Sequence, residues 1–263
     1  MYDFQYIRPA SVADAVKALT QEDAQALSGG QTLLPTLKQR LGHPTALVDL
    51  TAIKDLVGIA VSGDSVTIKG ATTHAAVAAS ADVKRAIPAL AHLAAHIGDP
   101  AVRNRGTIGG SVANNDPAAC YPSAVLGLGA TVITNAREIA ADDYFQGMFT
   151  TALEEGEIVT AVRFPIPQKA AYQKFVQPAS RFALTGVFVA KFANGVRVAV
   201  TGASESGVFR WSEAEAALSA NWSADAVEGL GVSADGMIGD IHGSPDYRAH
   251  IVKVMTKRAV AAA

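Results

Sequence analysis

Two pairs of adjacent glycines limit what this chain can build: Gly29-Gly30 in Ser28-Gly29-Gly30-Gln31-Thr32-Leu33-Leu34-Pro35, and Gly109-Gly110 in Thr107-Ile108-Gly109-Gly110-Ser111-Val112-Ala113-Asn114-Asn115-Asp116-Pro117. A doubled glycine admits positive φ and removes two side chains, so successive N–H groups can converge on one concave space. Two such loops from distant parts of one chain imply a clamp on a diphosphate. Taken singly, either pair reads equally well as a turn or a helix C-cap.

The remaining sequence supplies a folded body for that clamp. With 263 residues, 49% of them hydrophobic and only 17% charged, the chain can form one large domain or two or three lobes sharing a site. A net charge of −2 with scattered Lys and Arg gives no footprint for nucleic acid or anionic lipid. Cys120 is the only cysteine, which excludes an intrachain disulfide, a CxxC zinc site and an iron–sulfur cluster ligated by this chain alone, and fits a reducing cytoplasm. The first residues, Met1-Tyr2-Asp3-Phe4-Gln5-Tyr6-Ile7-Arg8-Pro9, lack the basic and apolar regions of a signal peptide, and no uninterrupted apolar run is long enough to span a membrane.

Periodicity divides the chain into an α+β arrangement. Ser11 caps an expected helix carrying Val12, Ala15, Val16 and Leu19; Ala24–Leu27 reads as a strand, Leu33 to Leu41 as a helix ending at Gly42, and Ala46 to Leu50 as a strand. Leu56 to Gly70 alternates around Ser62-Gly63-Asp64 like a hairpin. Thr73 caps a helix through Ala78, a second helix runs from Ile87 towards Gly98-Asp99-Pro100, and a third covers Tyr121 to Leu128. Ala130 to Ile133 and Ile158 to Phe164 read as strands, the latter closed by Pro165 and Pro167. Tyr172 to Phe175, Leu184 to Phe192 and Val196 to Gly202 form an expected three-stranded antiparallel sheet turning at Asn194-Gly195; helices follow at 212–218, 223–230 and 247–261. These elements predict two α/β lobes over 1–55 and 56–167 and a C-terminal domain over 168–263.

The motifs exclude two common nucleotide sites. Neither loop has GxGxxG with an acidic residue after a second strand, and neither has GxxxxGK[ST]. Ser28, Gln31, Thr32, Thr107 and Ser111 line the glycines with neutral hydrogen-bonding groups, and the helix starting near Leu33 favours an anion. Such a lining suits a diphosphate joining two bulky organic halves, as in FAD.

Four segments, SGGQTLLPTLKQRLGHPTALVDL, IGDPAVRNRGTIGGSVANNDP, DYFQGMFTTALEEGEIVTAVRFPIP and GSPDYRAHIVKVMTKRAV, closely resemble the medium, FAD-binding subunit of molybdenum hydroxylases of the xanthine dehydrogenase and carbon monoxide dehydrogenase type. The resemblance spans nearly the whole chain in order. It implies a PCMH-type FAD-binding fold whose flavin takes electrons from [2Fe–2S] clusters of a small partner subunit and passes them to an external acceptor. Substrate would be oxidised on a large molybdopterin subunit, in a dimer of heterotrimers.

Carried over residue by residue, the resemblance assigns Ser28, Gly29, Gly30, Gln31, Thr32 and Leu33, with Thr107, Ile108, Gly109, Gly110 and Ser111, to the FAD diphosphate and adjoining sugar groups. Ile97, Ile158 and Val159 would pack or bond near the flavin, and Lys174 would face its ring, where a cation stabilises reduced flavin. Relatives place an aspartate where this chain has Cys120, and Asp116 lies four residues earlier. Two rival readings stay open: a flavin-free assembly scaffold, and a stand-alone flavin oxidase of the same fold. Arg103 is a lesser candidate for a phosphate. His74, His92 and His96 read as structural, with no third ligand for a metal, and Tyr121, Tyr144 and Phe145 as core.

Overall fold

A computed structural model describes residues 1–263. The N-terminal lobe is a parallel three-stranded sheet, β1 (Gln5–Ile7), β2 (Ala24–Leu27) and β3 (Ala46–Asp49), with β3 in the centre and buried at all four residues. Parallel pairing requires crossovers, supplied by α1 (Val12–Leu19) and α2 (Leu33–Lys38). The Ser11 hydroxyl accepts from Asp14 N–H and starts α1. Helix α2 stops short of the expected Leu41, because Gln39 ends it and Arg40 turns left-handed at φ +60°.

The second lobe is an antiparallel sheet of five strands in the order β4-β5-β10-β6-β7: β4 (Ile59–Ser62), β5 (Ser65–Lys69), β6 (Thr131–Thr134), β7 (Glu138–Ala140) and, after a small β8–β9 ribbon (Phe145–Gly147, Thr150–Thr151), β10 (Val159–Pro165). Between β5 and β6 lie six short helices: α3 (His74–Ala79), α4 (Ala81–Ala86), α5 (Pro88–Ala95), α6 (Pro100–Arg105), α7 (Ile108–Asn114) and α8 (Tyr121–Gly127). One more short helix, α9 (Ala141–Tyr144), follows β7. The helix expected to stop near Gly98-Asp99-Pro100 ends at Ala95, and a further helix, α6, starts at Pro100, since Asp99 accepts from Val102 N–H and proline at the first helical position loses no bond.

The C-terminal sheet has four strands where three were expected: β11 (Lys169–Val176), β12 (Ala183–Phe192), β13 (Gly195–Thr201) and the two-residue edge β14 (Phe209–Arg210). Its two faces serve different cores. Tyr172, Phe188, Ala190 and Ala199 join the large core of the second lobe, while their alternating neighbours Ala171, Val187, Val189, Val198 and Val200 pack with α10 (Ser212–Ala220) and α11 (Pro245–Ala262). The expected helix over 223–230 is a single 3-10 turn, Ala224–Val227.

Two close contacts tie α7 to the end of β5 and α3 to the connection between α6 and α7. Gly109 N–H donates to Gly70 O at 2.8 Å, and a Cβ on Gly109 would lie 2.7 Å from that oxygen and 2.9 Å from Gly70 Cα. His74, only 4% exposed, packs against Gly106, where a Cβ would sit 2.6 Å from the imidazole Nε2.

Gly109→Ala is expected to destabilise the fold by about 1–3 kcal/mol, because the methyl meets backbone that cannot rotate away; urea unfolding measures it. Burial, and secondarily the Arg103 charge, lower the His74 pKa from 6.5 to about 4. The unfolded chain therefore takes up a proton that the native chain refuses, so stability is full above about pH 6.5 and falls by about 3 kcal/mol as pH drops towards 4. In His74→Gln this part of the acid limb should disappear; identical pH profiles for the two proteins would contradict the assignment.

Candidate functional site

A cleft of about 550 Å³ opens where the two N-terminal lobes and the C-terminal sheet meet. Every residue assigned to the cofactor from the sequence lines it except Ile108, and the lesser candidate Arg103 does not line it. Ile108 is instead fully buried in the large core, with its N–H donating to Thr72 O at 3.1 Å.

The first glycine pair connects β2 to α2. Gly30 takes φ +67°, the left-handed conformation that a glycine enters without penalty. Gly29 is required for another reason: its Cβ would lie 2.3 Å from Arg105 O and 2.6 Å from Gly106 Cα, so the two loops touch backbone to backbone. Gln31 Nε2 donates to Gly29 O at 3.0 Å and holds the turn. Thr32 precedes α2 without capping it. The N–H groups of Gly29, Gly30, Gln31, Thr32 and Leu33 have no hydrogen-bond partner in the chain, while Leu34 N–H is the first to find one, at Gly30 O. Five successive free donors on a cleft wall form a nest for an anion.

The second pair departs from expectation. Gly109 and Gly110 lie in the first turn of α7 with ordinary φ, not in a loop, and their amides are already spent. Gly109 N–H goes to Gly70 O, Gly110 N–H to Thr107 Oγ1 at 3.2 Å, and Ser111 N–H to Thr107 O at 3.0 Å. This segment therefore offers no second nest. It offers a bare glycine surface and the hydroxyl of Ser111. Across the cleft Ser28 Oγ and Thr107 Oγ1 are 2.8 Å apart, a hydrogen bond that joins the two loops. Gly110 sits beside it, its absent Cβ 3.0 Å from Thr107 Oγ1 and 3.9 Å from Ser28 Cβ.

Asp116 is occupied locally, its carboxylate accepting from Ala118 N–H at 2.8 Å. The turn it forms is held from the C-terminal domain: Thr201 Oγ1 donates to Pro117 O or Ala119 O, and Gly202 N–H donates to Pro117 O. Arg103 is likewise unavailable to a phosphate, since its guanidinium donates to Ile97 O and Gly98 O, both at 3.0 Å, and fixes the turn that places Ile97 on the cleft.

On the opposite wall Lys174 Nζ reaches His96 O at 2.6 Å, Arg181 O at 2.7 Å and Cys120 Sγ at 3.5 Å. Cys120, 5% exposed, begins α8. None of the ion pairs in the structure includes Lys174, so an ammonium faces the cleft among neutral acceptors. Ile158 and Val159 close the floor. Sequence reasoning missed Glu157, whose carboxylate is held low chiefly by its hydrogen bond from Arg137, and the exposed Phe182 at the rim. It also took the neutral, buried His74 for a purely structural group, although it lines the cleft. No three His, Cys, Asp or Glu side chains converge as metal ligands, and no helix is long and apolar enough to cross a membrane.

Residues 2–167 match the sequence family described as FAD binding domain in molybdopterin dehydrogenase. The carbon monoxide dehydrogenase medium chain of Afipia carboxidovorans is 35% identical, with 98% of this chain and 95% of the relative aligned. The nicotine 6-hydroxylase medium subunit of Paenarthrobacter nicotinovorans is 34% identical over 97% and 95%. Among solved structures, quinoline 2-oxidoreductase from Pseudomonas putida superposes with a TM-score of 0.89 at 31% identity, covering 100% of this chain and 97% of that one. Reconstituted carbon monoxide dehydrogenase from Oligotropha carboxidovorans gives a TM-score of 0.89 at 33% identity over 99% and 97%. With that fold, that cleft and matches running nearly end to end, the chain belongs to the FAD-binding medium subunits of the molybdopterin dehydrogenases, a family of oxidoreductase subunits.

Proposed function

We propose that the cleft holds FAD and that the chain relays electrons from the [2Fe–2S] clusters of a small partner subunit to an external acceptor. In this reading a large molybdopterin subunit oxidises the substrate, and the complex is a dimer of heterotrimers in the cytoplasm. The observation that carries the reading is the run of unpaired N–H groups from Gly29 to Leu33 on a cleft whose facing wall is bare glycine.

These residues fit the group. The nest and the start of α2 would take the negative charge of a diphosphate, with Ser28, Thr32 and Ser111 hydroxyls beside it. Gly110 leaves room that a larger side chain would fill, and Gly29 lets the two loops close backbone to backbone beside it. Lys174 would set a positive charge beside the ring system, and Ile97, Ile158 and Val159 would exclude water from it. When bound, FAD supplies reversible redox chemistry that exchanges electrons singly or in pairs. The chain's part is to hold the cofactor, to stabilise charge on it, and to keep its surroundings rigid: Lys174 is fixed by two carbonyls and the Asp116–Ala119 turn by Thr201 and Gly202.

Gly110→Val should weaken FAD binding by at least about tenfold, because it fills the gap between the loops, while the FAD-free chain keeps a native circular-dichroism spectrum with a thermal midpoint lowered by the pressure on Thr107 Oγ1, 3.0 Å from the new Cβ. Fluorescence titration of the apoprotein with FAD measures it. A wild-type chain that takes up no FAD would support the scaffold reading instead. Lys174→Met should lower the midpoint potential of the bound flavin by on the order of tens of millivolts, since a cation near the ring favours the reduced, anionic form. Spectroelectrochemistry of the loaded protein reads this directly, and an unchanged potential would remove Lys174 from the ring's surroundings.

A further inference from the structure

The chain enters the floor of the cleft through a charged cluster. Glu157 precedes the floor residues Ile158 and Val159, and its carboxylate, on a side chain only 5% exposed, is surrounded by donors. Arg137 Nε and Nη2 each donate to it at 3.0 Å, Glu154 N–H at 2.7 Å and Thr134 Oγ1 at 3.0 Å. Arg137, itself 42% exposed, also donates to Ala152 O at 2.6 Å and pairs with Glu154, so one guanidinium gathers the segment 152–157. The next residue is held in both directions: Ile158 N–H donates to Asn135 Oδ1 at 2.7 Å, and Asn135 N–H to Ile158 O at 3.2 Å. A guanidinium fork on a carboxylate fixes direction as well as distance. The held segment continues into the backbone contacts that shape the cleft. A Cβ on Gly70 would lie 2.1 Å from Val159 O, and Gly70 N–H donates to Thr160 O at 2.8 Å. Gly70 O in turn accepts from Gly109 N–H, in the helix that carries Gly110. Arg137 does not line the cleft, so it acts on a ligand there only through this path.

We propose that Arg137 and Glu157 are positioning residues for the cofactor: their ion pair latches the floor of the cleft to the β6–β7 turn and, through Val159 and Gly70, sets where α7 stands, so that FAD affinity depends on it. The proposal rests on the reading of the cleft as an FAD site. An exposed ion pair contributes little by itself, but this carboxylate is almost out of contact with water. Without the guanidinium it is a nearly buried charge lacking its cation, an arrangement that relaxes by turning Glu157 towards water and moving the residues joined to it. Ile158 and Val159 follow directly, and Gly70 and Gly109 follow through the two backbone hydrogen bonds. Positioning and simple charge predict opposite effects at Glu157. Removing its charge from the cleft wall would favour an anionic ligand if charge alone mattered, whereas loss of the latch weakens binding.

The test uses the full chain in two arms. Without FAD, amide hydrogen exchange read by mass spectrometry should be about tenfold faster in Arg137→Gln for peptides covering 154–160 and 107–112, and unchanged along β12 and β13. With FAD, fluorescence titration should show Arg137→Gln and Glu157→Gln each binding about tenfold more weakly, and the double variant no more weakly than either, because both remove one latch. Arg137→Lys, which keeps the charge but not the fork, should recover part of the loss. Arg163→Gln breaks a pair with Glu138 on the same sheet, away from the cleft, and should match wild type in both arms. Unchanged exchange over 154–160 in Arg137→Gln would overturn the proposal, as would altered exchange with unchanged FAD affinity. Tighter binding by Glu157→Gln would replace positioning with a charge effect. A wild-type chain that takes up no FAD would remove the reading of the cleft, while the exchange arm would still decide the latch, so the two fail separately. Should Arg137→Gln not fold, Arg137→Lys carries the same comparisons.

Discussion

The first two lobes meet where Gly29 lies against Arg105 O and Gly106 Cα, and the cleft depends on that contact. No side chain fits between the two backbones, so loop spacing is fixed by main-chain dimensions and not by adaptable packing. The Ser28–Thr107 hydrogen bond then sets the register of the two loops across the contact. Thr107 also accepts from Gly110 N–H, so one hydroxyl joins the lobes and starts a helix. Behind it, Gly109 against Gly70 and His74 against Gly106 carry the same constraint back into the second sheet. A chain of backbone contacts of this kind has little freedom to yield, and it holds the segment with the five free amides against the cleft.

Charge in the cleft follows a similar economy. The anion nest uses backbone dipoles, which need no counter-ion of their own, while the nearby arginine at position 103 is spent on carbonyls that shape the wall. Glu157 is neutralised by Arg137. Lys174 is thus a cation kept without a carboxylate, and a ligand carrying negative charge would complete the balance.

Much of this architecture could be read from the residues. Strands with alternating apolar positions, such as those around Val66 and Ile68 and the long hairpin at Asn194-Gly195, appear where periodicity placed them. Caps at Ser11 and Thr73 do as well. The edge strand Phe209–Arg210 is too short to carry a period, and α6 was hidden because Pro100 signals a helix start as readily as a stop. For the site, positions along the cleft were legible because glycine doublets and their neighbours are rare enough to stand out. Their separate roles were not. Whether a glycine amide is free depends on which carbonyl approaches it, and for Gly109 that carbonyl belongs to Gly70, far away in sequence. The same holds for Lys174, whose acceptors come from three separate segments.

The recurring sequence unit that defines the family ends at residue 167, yet the cleft does not. Its far wall carries Lys174 and Phe182, and Thr201 with Gly202 clasps the turn through Pro117 and Ala119 from the other side of that boundary. The stretch of chain that is recognisable by its sequence is therefore smaller than the piece of matter that forms the pocket. Swapping the first 167 residues between relatives would transplant the nest but leave it facing a foreign wall, so the natural module for grafting or redesign is the entire polypeptide.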